Sequence, residues 1–111
     1  MAAIHAGLAA GRWYELSLCE QLGNVGGEVH RALNARRAGN EERAGKAIDR
    51  MLELLDLTLA DARWSTGRKE LARAREVLCD ALLCDNEYGS TDESLTRYFD
   101  AFALAARRRR G

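Results

Sequence analysis

The stretch QLGNVGGEVHRAL, Gln21–Leu33, repeats its apolar residues at helical spacing and yet holds Gly23, Gly26 and Gly27. A glycine inside a helix costs about 0.5–1 kcal/mol relative to alanine, so such a cluster needs a physical reason. At about 100° per residue, Leu18, Leu22, Val25, Val29 and Leu33 share one stripe. Cys19, Gly23, Gly26 and His30 form a second stripe beside it, with Gly27 at its margin. A row of small residues lets another backbone come close. The approaching helix belongs either to this chain or to a second copy of it. Leu54 and Leu57 lie off the main apolar stripe of the following helix, and surplus apolar surface on a small protein marks an interaction site. The expected contact set of a homo-oligomer is therefore Cys19, Gly23, Gly26, Gly27, His30, Leu54 and Leu57. A ligand lying on bare backbone is the remaining reading, but no phosphate-loop spacing surrounds these glycines.

Working outward, Ser17-Leu18-Cys19-Glu20 has the pattern of a capping box and opens a helix that runs to about Ala38. Gly39 is placed as its C-terminal glycine. Asn40 caps a second helix, with Glu41 and Glu42 in the first turn where the helix dipole favours acids. That helix is expected to reach about Arg63. The break WSTG, Trp64–Gly67, offers Ser65 or Thr66 as the cap of a third helix ending near Asp85. After the turn NEYGST, Ser90 and Glu93 repeat the capping-box pattern, and a fourth helix runs from Thr91 into the arginines. A short additional helix is expected within residues 2–10. The core faces read as Ile48, Met51, Leu52, Leu55 and Leu59 on the second helix and Leu71, Ala74, Leu78, Ala81 and Leu82 on the third. The fourth presents Leu95, Tyr98, Phe99, Phe102 and Ala106. Amphipathic helices joined by short turns pack as an all-α, antiparallel up-down-up-down four-helix bundle. The organisation expected is an N-terminal segment, 1–16, the bundle, 17–106, and a basic tail, 107–111.

Composition agrees. The 111 residues hold 47% hydrophobic and 31% charged side chains and no proline, as befits one nearly all-helical domain. Net charge is zero, which speaks against a dedicated nucleic-acid binder while leaving room for local basic patches. No apolar run approaches the roughly 20 residues of a membrane span, and MAAIHAGLAAGRWYE lacks the basic region that precedes the apolar part of a secretory signal. Cys19, Cys79 and Cys84 fit neither a disulfide framework nor a CxxC metal site; the expected location is the cytoplasm, with all three reduced.

Among polar residues, Arg75 lies between Leu71, Leu78 and Leu82 on the third helix, and a charge there needs a partner. An antiparallel second helix brings Asp56 level with it, so a buried Asp56–Arg75 pair is expected, with Asp49 or Glu76 as substitutes. The basic groups are Arg31, Arg36 and Arg37 near the end of the first helix and Arg107, Arg108, Arg109 and Arg110 at the C-terminus. Both complement helix dipoles, and both can hold nucleic-acid phosphates without reading sequence. Trp13, Tyr14 and Tyr88 can stack on bases or cover bundle ends. No arginine precedes a histidine at the Arg-x4–6-His spacing of the small helical HEPN-type ribonucleases. No catalytic residue and no cofactor is expected. The enzymatic alternative rests on Glu53 and Asp56, whose i, i+3 spacing places two carboxylates on one helix face and suits magnesium. That half-pattern is similar to the ExxE and ExxD motifs of MazG-like nucleotide pyrophosphohydrolases, whereas Gly23 fills the third position after Glu20.

The order MLELLDLTLADARW, LARAREVLCDALL and then LTRYFDAF resembles two kinds of small bacterial four-helix bundle. These are the accessory variability determinant of diversity-generating retroelements and the protein encoded in intervening sequences of 23S ribosomal RNA. The likeness spans roughly Leu18 to Arg107 and is one of layout. It implies a non-catalytic, ring-forming homo-oligomer that binds RNA, DNA or a reverse transcriptase through basic surfaces. The accessory proteins are strongly basic, and this chain is neutral.

Overall fold

The computed structural model describes residues 11–110, the side chains of Ala106, Arg109 and Arg110 excepted. The additional helix expected at residues 2–10 lies outside the described residues. The chain is an all-α four-helix bundle: α1, Leu18–Arg37; α2, Glu41–Leu59; α3, Arg68–Leu83; and α4, Asp92–Arg110. Short 3-10 turns precede α1, at Arg12–Glu15, and α3, at Ala62–Gly67.

Local chemistry sets the helix ends. Ser17 Oγ accepts from the Glu20 amide at 3.1 Å, and Glu20 Oε1 accepts from the Ser17 amide at 3.0 Å, closing the capping box. Gly39 takes φ +74°, the left-handed conformation a helix-ending glycine supplies, and Asn40 Oδ1 accepts from the Arg43 amide at 3.0 Å. The other two starts differ from expectation. α2 stops at Leu59 rather than Arg63, because the Asp61 carboxylate takes the Arg63 amide (3.1 Å) and turns the chain into the 3-10 segment. Neither Ser65 nor Thr66 caps α3, whose N-cap is Gly67. At α4 the reciprocal pair is Thr91 with Ser94 (2.9 and 3.0 Å), one residue beyond Ser90 and Glu93. The Ser90 amide is already bonded to Asn86 Oδ1.

α1 shares its largest interfaces with α2 and α4, and α3 docks on α2 more sparsely. The glycine stripe is where α4 lies. A Cβ built on Gly26 falls 2.6 Å from Phe99 Cβ, and one on Gly23 falls 3.2 Å from Ala103 Cα. The row of small residues thus admits a helix of the same chain. Farther along, His30 Nε2 meets Asp100 Oδ1 at 2.8 Å, and Arg37 Nη2 donates to Asp92 Oδ2 at 3.0 Å. Among the described residues, a Cβ built on Gly27 meets Arg31 Nη1 at 3.6 Å.

Leu54, expected to be surplus, is buried, and Leu57 is half-buried against the core. α2 sits between α1 and α3, so its buried face, from Ala44 and Ile48 to Leu54, Leu55 and Thr58, spans about 120° rather than a single narrow stripe. Most of the other core positions hold: Leu22, Val25, Val29, Met51, Leu78 and Phe99 are all nearly inaccessible. Tyr98 departs, at 44% exposed, and the Ala106 side chain lies outside those described.

One end of the bundle is closed by a polar network. Trp13 is 1% exposed and donates from Nε1 to Thr58 Oγ1 at 3.1 Å, while that hydroxyl donates to Leu54 O. Gln21 Nε2 donates to Trp13 O (3.0 Å) and to Asp61 Oδ2 (3.1 Å), and its Oε1 accepts from Trp64 Nε1 (2.7 Å). Asp61 also accepts from Arg63 Nε and Nη2, and Arg63 Nη2 donates to Leu16 O at 2.7 Å. The Arg63 guanidinium lies 4.4 Å from the centre of the Trp64 ring. The Arg63 hydrogen bonds outweigh desolvation and, with help from Gln21, hold the Asp61 carboxyl at about 2.

Two predictions follow from these contacts. Gly26→Ala destabilises the fold by about 1–3 kcal/mol through overpacking against Phe99, whereas Gly27→Ala raises stability by about 0.5–1 kcal/mol through helix propensity; urea unfolding followed by circular dichroism measures both. The depressed Asp61 value means its contribution is complete above the unfolded-chain pKa and disappears as pH falls through the folded value, that is, between about pH 4 and pH 2. Asp61→Asn therefore costs about 2 kcal/mol at pH 7, and its urea midpoint converges on that of the wild type as pH falls through this window. A gap that stays constant with pH contradicts the assignment.

Candidate functional site

A groove lies between α3 and α4. α4 is drawn onto α1 by the glycine stripe. α3 is held on the other side by α2 and by Arg36, whose Nη2 donates to Leu82 O at 2.6 Å. The turn between them is fixed: Asn86 has φ +53° and exchanges hydrogen bonds with Ser90 (2.8 and 2.9 Å). Asp80 accepts from the Glu87 and Tyr88 amides at 2.8 and 3.1 Å. With both helices committed elsewhere, an apolar groove of 210 Å³ remains between Ala74, Val77 and Leu78 on α3 and Leu95, Tyr98 and Phe99 on α4. Glu70, Arg73, Ser90 and Ser94 line its polar margin.

Tyr98 is the exposed aromatic side chain lining this groove. Its ring meets Phe99 edge-on with centroids 5.0 Å apart and Phe102 at 5.4 Å, so it is braced rather than loose. Partial burial, and then the Glu70 carboxylate, push its phenol above the usual value, so it stays neutral across the physiological range. Its spacing marks it as a core residue, and only the separation of α3 from α4 exposes it. A sequence pattern identifies a helix face but not whether a neighbour arrives to cover it.

The expected polar sites are distributed as follows. Asp56 Oδ1 and Arg75 Nε form their pair at 2.9 Å, but at the surface: the side chains are 59% and 37% exposed. Arg75 reaches past the apolar stripe to solvent, and exposed pairs of this kind contribute about 0–1 kcal/mol. That corrects the expectation of a buried pair. Asp56 is therefore engaged by a guanidinium next to Glu53, and among the described residues no group of three or more His, Cys, Asp or Glu side chains converges on one point. Cys19 and Cys79 are half-buried, Cys84 is exposed, and all three are free thiols.

The basic residues do not form one surface. Arg36 serves the α3 C-terminus and Arg37 ties α1 to the first turn of α4. Arg107 and Arg108 are exposed at the opposite end of α4, about 22 Å along the helix from Asp92. Arg31 pairs with Glu28 at 3.0 Å. Of the aromatic residues suited to stacking, Trp13 is locked in the core, whereas Tyr14 and Tyr88 are exposed and Tyr88 donates its hydroxyl to Glu76 at 3.1 Å. Among the described residues no helix is long and apolar enough to cross a membrane. Comparison with protein-family models, with curated proteins and with solved structures finds no match to this chain.

Proposed function

We propose that this chain is a non-catalytic interaction protein of the cytoplasm, a helical bundle that self-associates through the α3–α4 groove. The observation that carries this reading is Tyr98, an aromatic anchor 44% exposed beside an apolar groove lined by Val77, Leu78 and Leu95. Interfaces draw most of their binding energy from a few aromatic anchors of this sort.

A second copy is the occupant that fits. Glu70 and Arg73 stand on the same margin of the groove with opposite charge, so a two-fold arrangement sets each against its complement. The chain has zero net charge, so two copies meet without long-range repulsion. The glycine stripe, filled by Phe99 and Ala103, is not part of this contact. Recruitment of a nucleic-acid enzyme such as a reverse transcriptase is a narrower version of the same reading, with the assembled bundle as the scaffold.

Light scattering on a gel-filtration column tests it. The wild type elutes at a multiple of 12.3 kDa, and Tyr98→Glu elutes as a monomer with an unchanged far-ultraviolet circular dichroism spectrum. A wild type that stays monomeric at high concentration, or a Tyr98→Glu variant that keeps the wild-type mass, overturns the proposal.

A further inference from the structure

The α1–α2 hairpin carries a second concavity, remote in sequence from the groove. Arg31, Asn34 and Ala35 from α1 and Ala38 just after it face Asn40, Arg43, Ala47 and Arg50 around a cavity of 450 Å³. The spacing builds it: 31 and 35 on α1 and 38 at its C-cap follow one face, and 43, 47 and 50 follow one face of α2. Three alanines keep the floor open, and long arginines form the walls. The volume lies within the range of small-molecule sites.

The electrostatics are one-sided. Among the described residues the lining holds three guanidiniums and no carboxylate, and Glu28, its side chain only 8% exposed, pairs with two of the three. Glu28 Oε2 holds Arg31 Nη1 at 3.0 Å, and its Oε1 lies 3.5 Å from Arg50 Nη1 without a hydrogen bond. A buried carboxylate between two arginines fixes their position, and each guanidinium has five N–H groups, so donors remain for a ligand. Arg43 has no carboxylate within ion-pair distance among the described residues. Lys46, on the neighbouring face, is already paired with Glu42 at 3.5 Å. Asn34 and Asn40 spend their amide oxygens on Arg37 and on the Arg43 backbone, which leaves their N–H₂ groups as donors. The cavity therefore offers donors and positive charge without an exposed acceptor of comparable strength.

We infer that this cavity binds a phosphate-bearing ligand, with Arg31, Arg43 and Arg50 as its anion contacts. Planar guanidiniums match phosphate oxygens in pairs, and three of them suit a diphosphate better than a single carboxylate. The phosphate chemistry is common to a free nucleotide and to the backbone of a nucleic-acid strand, and the experiment separates these sources.

Calorimetric titration of the full chain with inorganic pyrophosphate at low salt is the test, repeated with a short single-stranded oligonucleotide as competitor. Saturable binding at one site per chain is expected. Arg43→Gln weakens it about tenfold or more, while Arg75→Gln, which lies outside the cavity and pairs with Asp56, leaves the affinity within about twofold. Competition by the oligonucleotide, with a steep salt dependence, identifies a strand backbone as the source. Pyrophosphate binding without competition identifies a small phosphorylated ligand. Absence of saturable binding by either probe, or an Arg43→Gln affinity equal to that of the wild type, overturns the inference. Because Tyr98 lies on α4 outside the cavity, Tyr98→Glu leaves this titration unchanged, so the site and the self-association fail or stand separately.

Discussion

Phe99 occupies the space that a Cβ on Gly26 would fill, and Ala103 crowds Gly23 one turn away. This close approach sets the plan of the molecule. It commits α4 to α1 along opposed directions, with Arg37 and Asp92 at one end and Gly23 and Ala103 toward the other. The contact of α4 with α3 is sparse by comparison. α3, pinned to α2 and to the Arg36 side chain, is left with an open side, and Tyr98 projects into the opening. The helix-propensity penalty of the glycines is thus offset by packing on one flank, and the groove lies on the other.

The network around Gln21 performs the complementary task at the end of the bundle. Its amide group joins Trp13, Asp61 and Trp64, so one side chain links the segment before α1 to the segment after α2. Every polar atom of that amide is bonded, which is the condition under which a buried polar group specifies a structure instead of weakening it. The chain from Arg12 to Leu16 therefore belongs to the bundle.

Helix number, the Ser17 and Asn40 caps and the core stripe of α1 were legible because each depends on residues within one or two turns. The Gln21 network was not, since its partners lie 8, 40 and 43 residues away and nothing local marks a glutamine as buried. The breadth of the α2 core was hidden for a related reason: Leu54 is off the stripe for one neighbour and on it for two. Arg75 was placed beside the correct partner, but the length of its stem carries the pair to the surface, which residue spacing does not reveal. The glycine stripe correctly signalled a close helix, and only the fold decides which helix comes. The arginines divide in the same way. Arg36, Arg37 and Arg63 are bound to carbonyls or carboxylates elsewhere in the fold, while Arg31 and Arg50, both paired with Glu28, gather with Arg43 on one concavity that no contiguous motif announces.

The central claim is that the approach of α4 to α1 at Gly26 is made within one chain. It is tested most directly by isotope-filtered nuclear Overhauser spectroscopy on an equimolar mixture of labelled and unlabelled protein, unfolded together and refolded. The account predicts a cross-peak between the Gly26 α-protons and Phe99 in uniformly labelled protein, and its absence from the spectrum that selects labelled-to-unlabelled contacts. A Gly26–Phe99 cross-peak in the filtered spectrum would contradict it, since α4 would then be exchanged between copies and the glycine stripe would be the subunit contact after all.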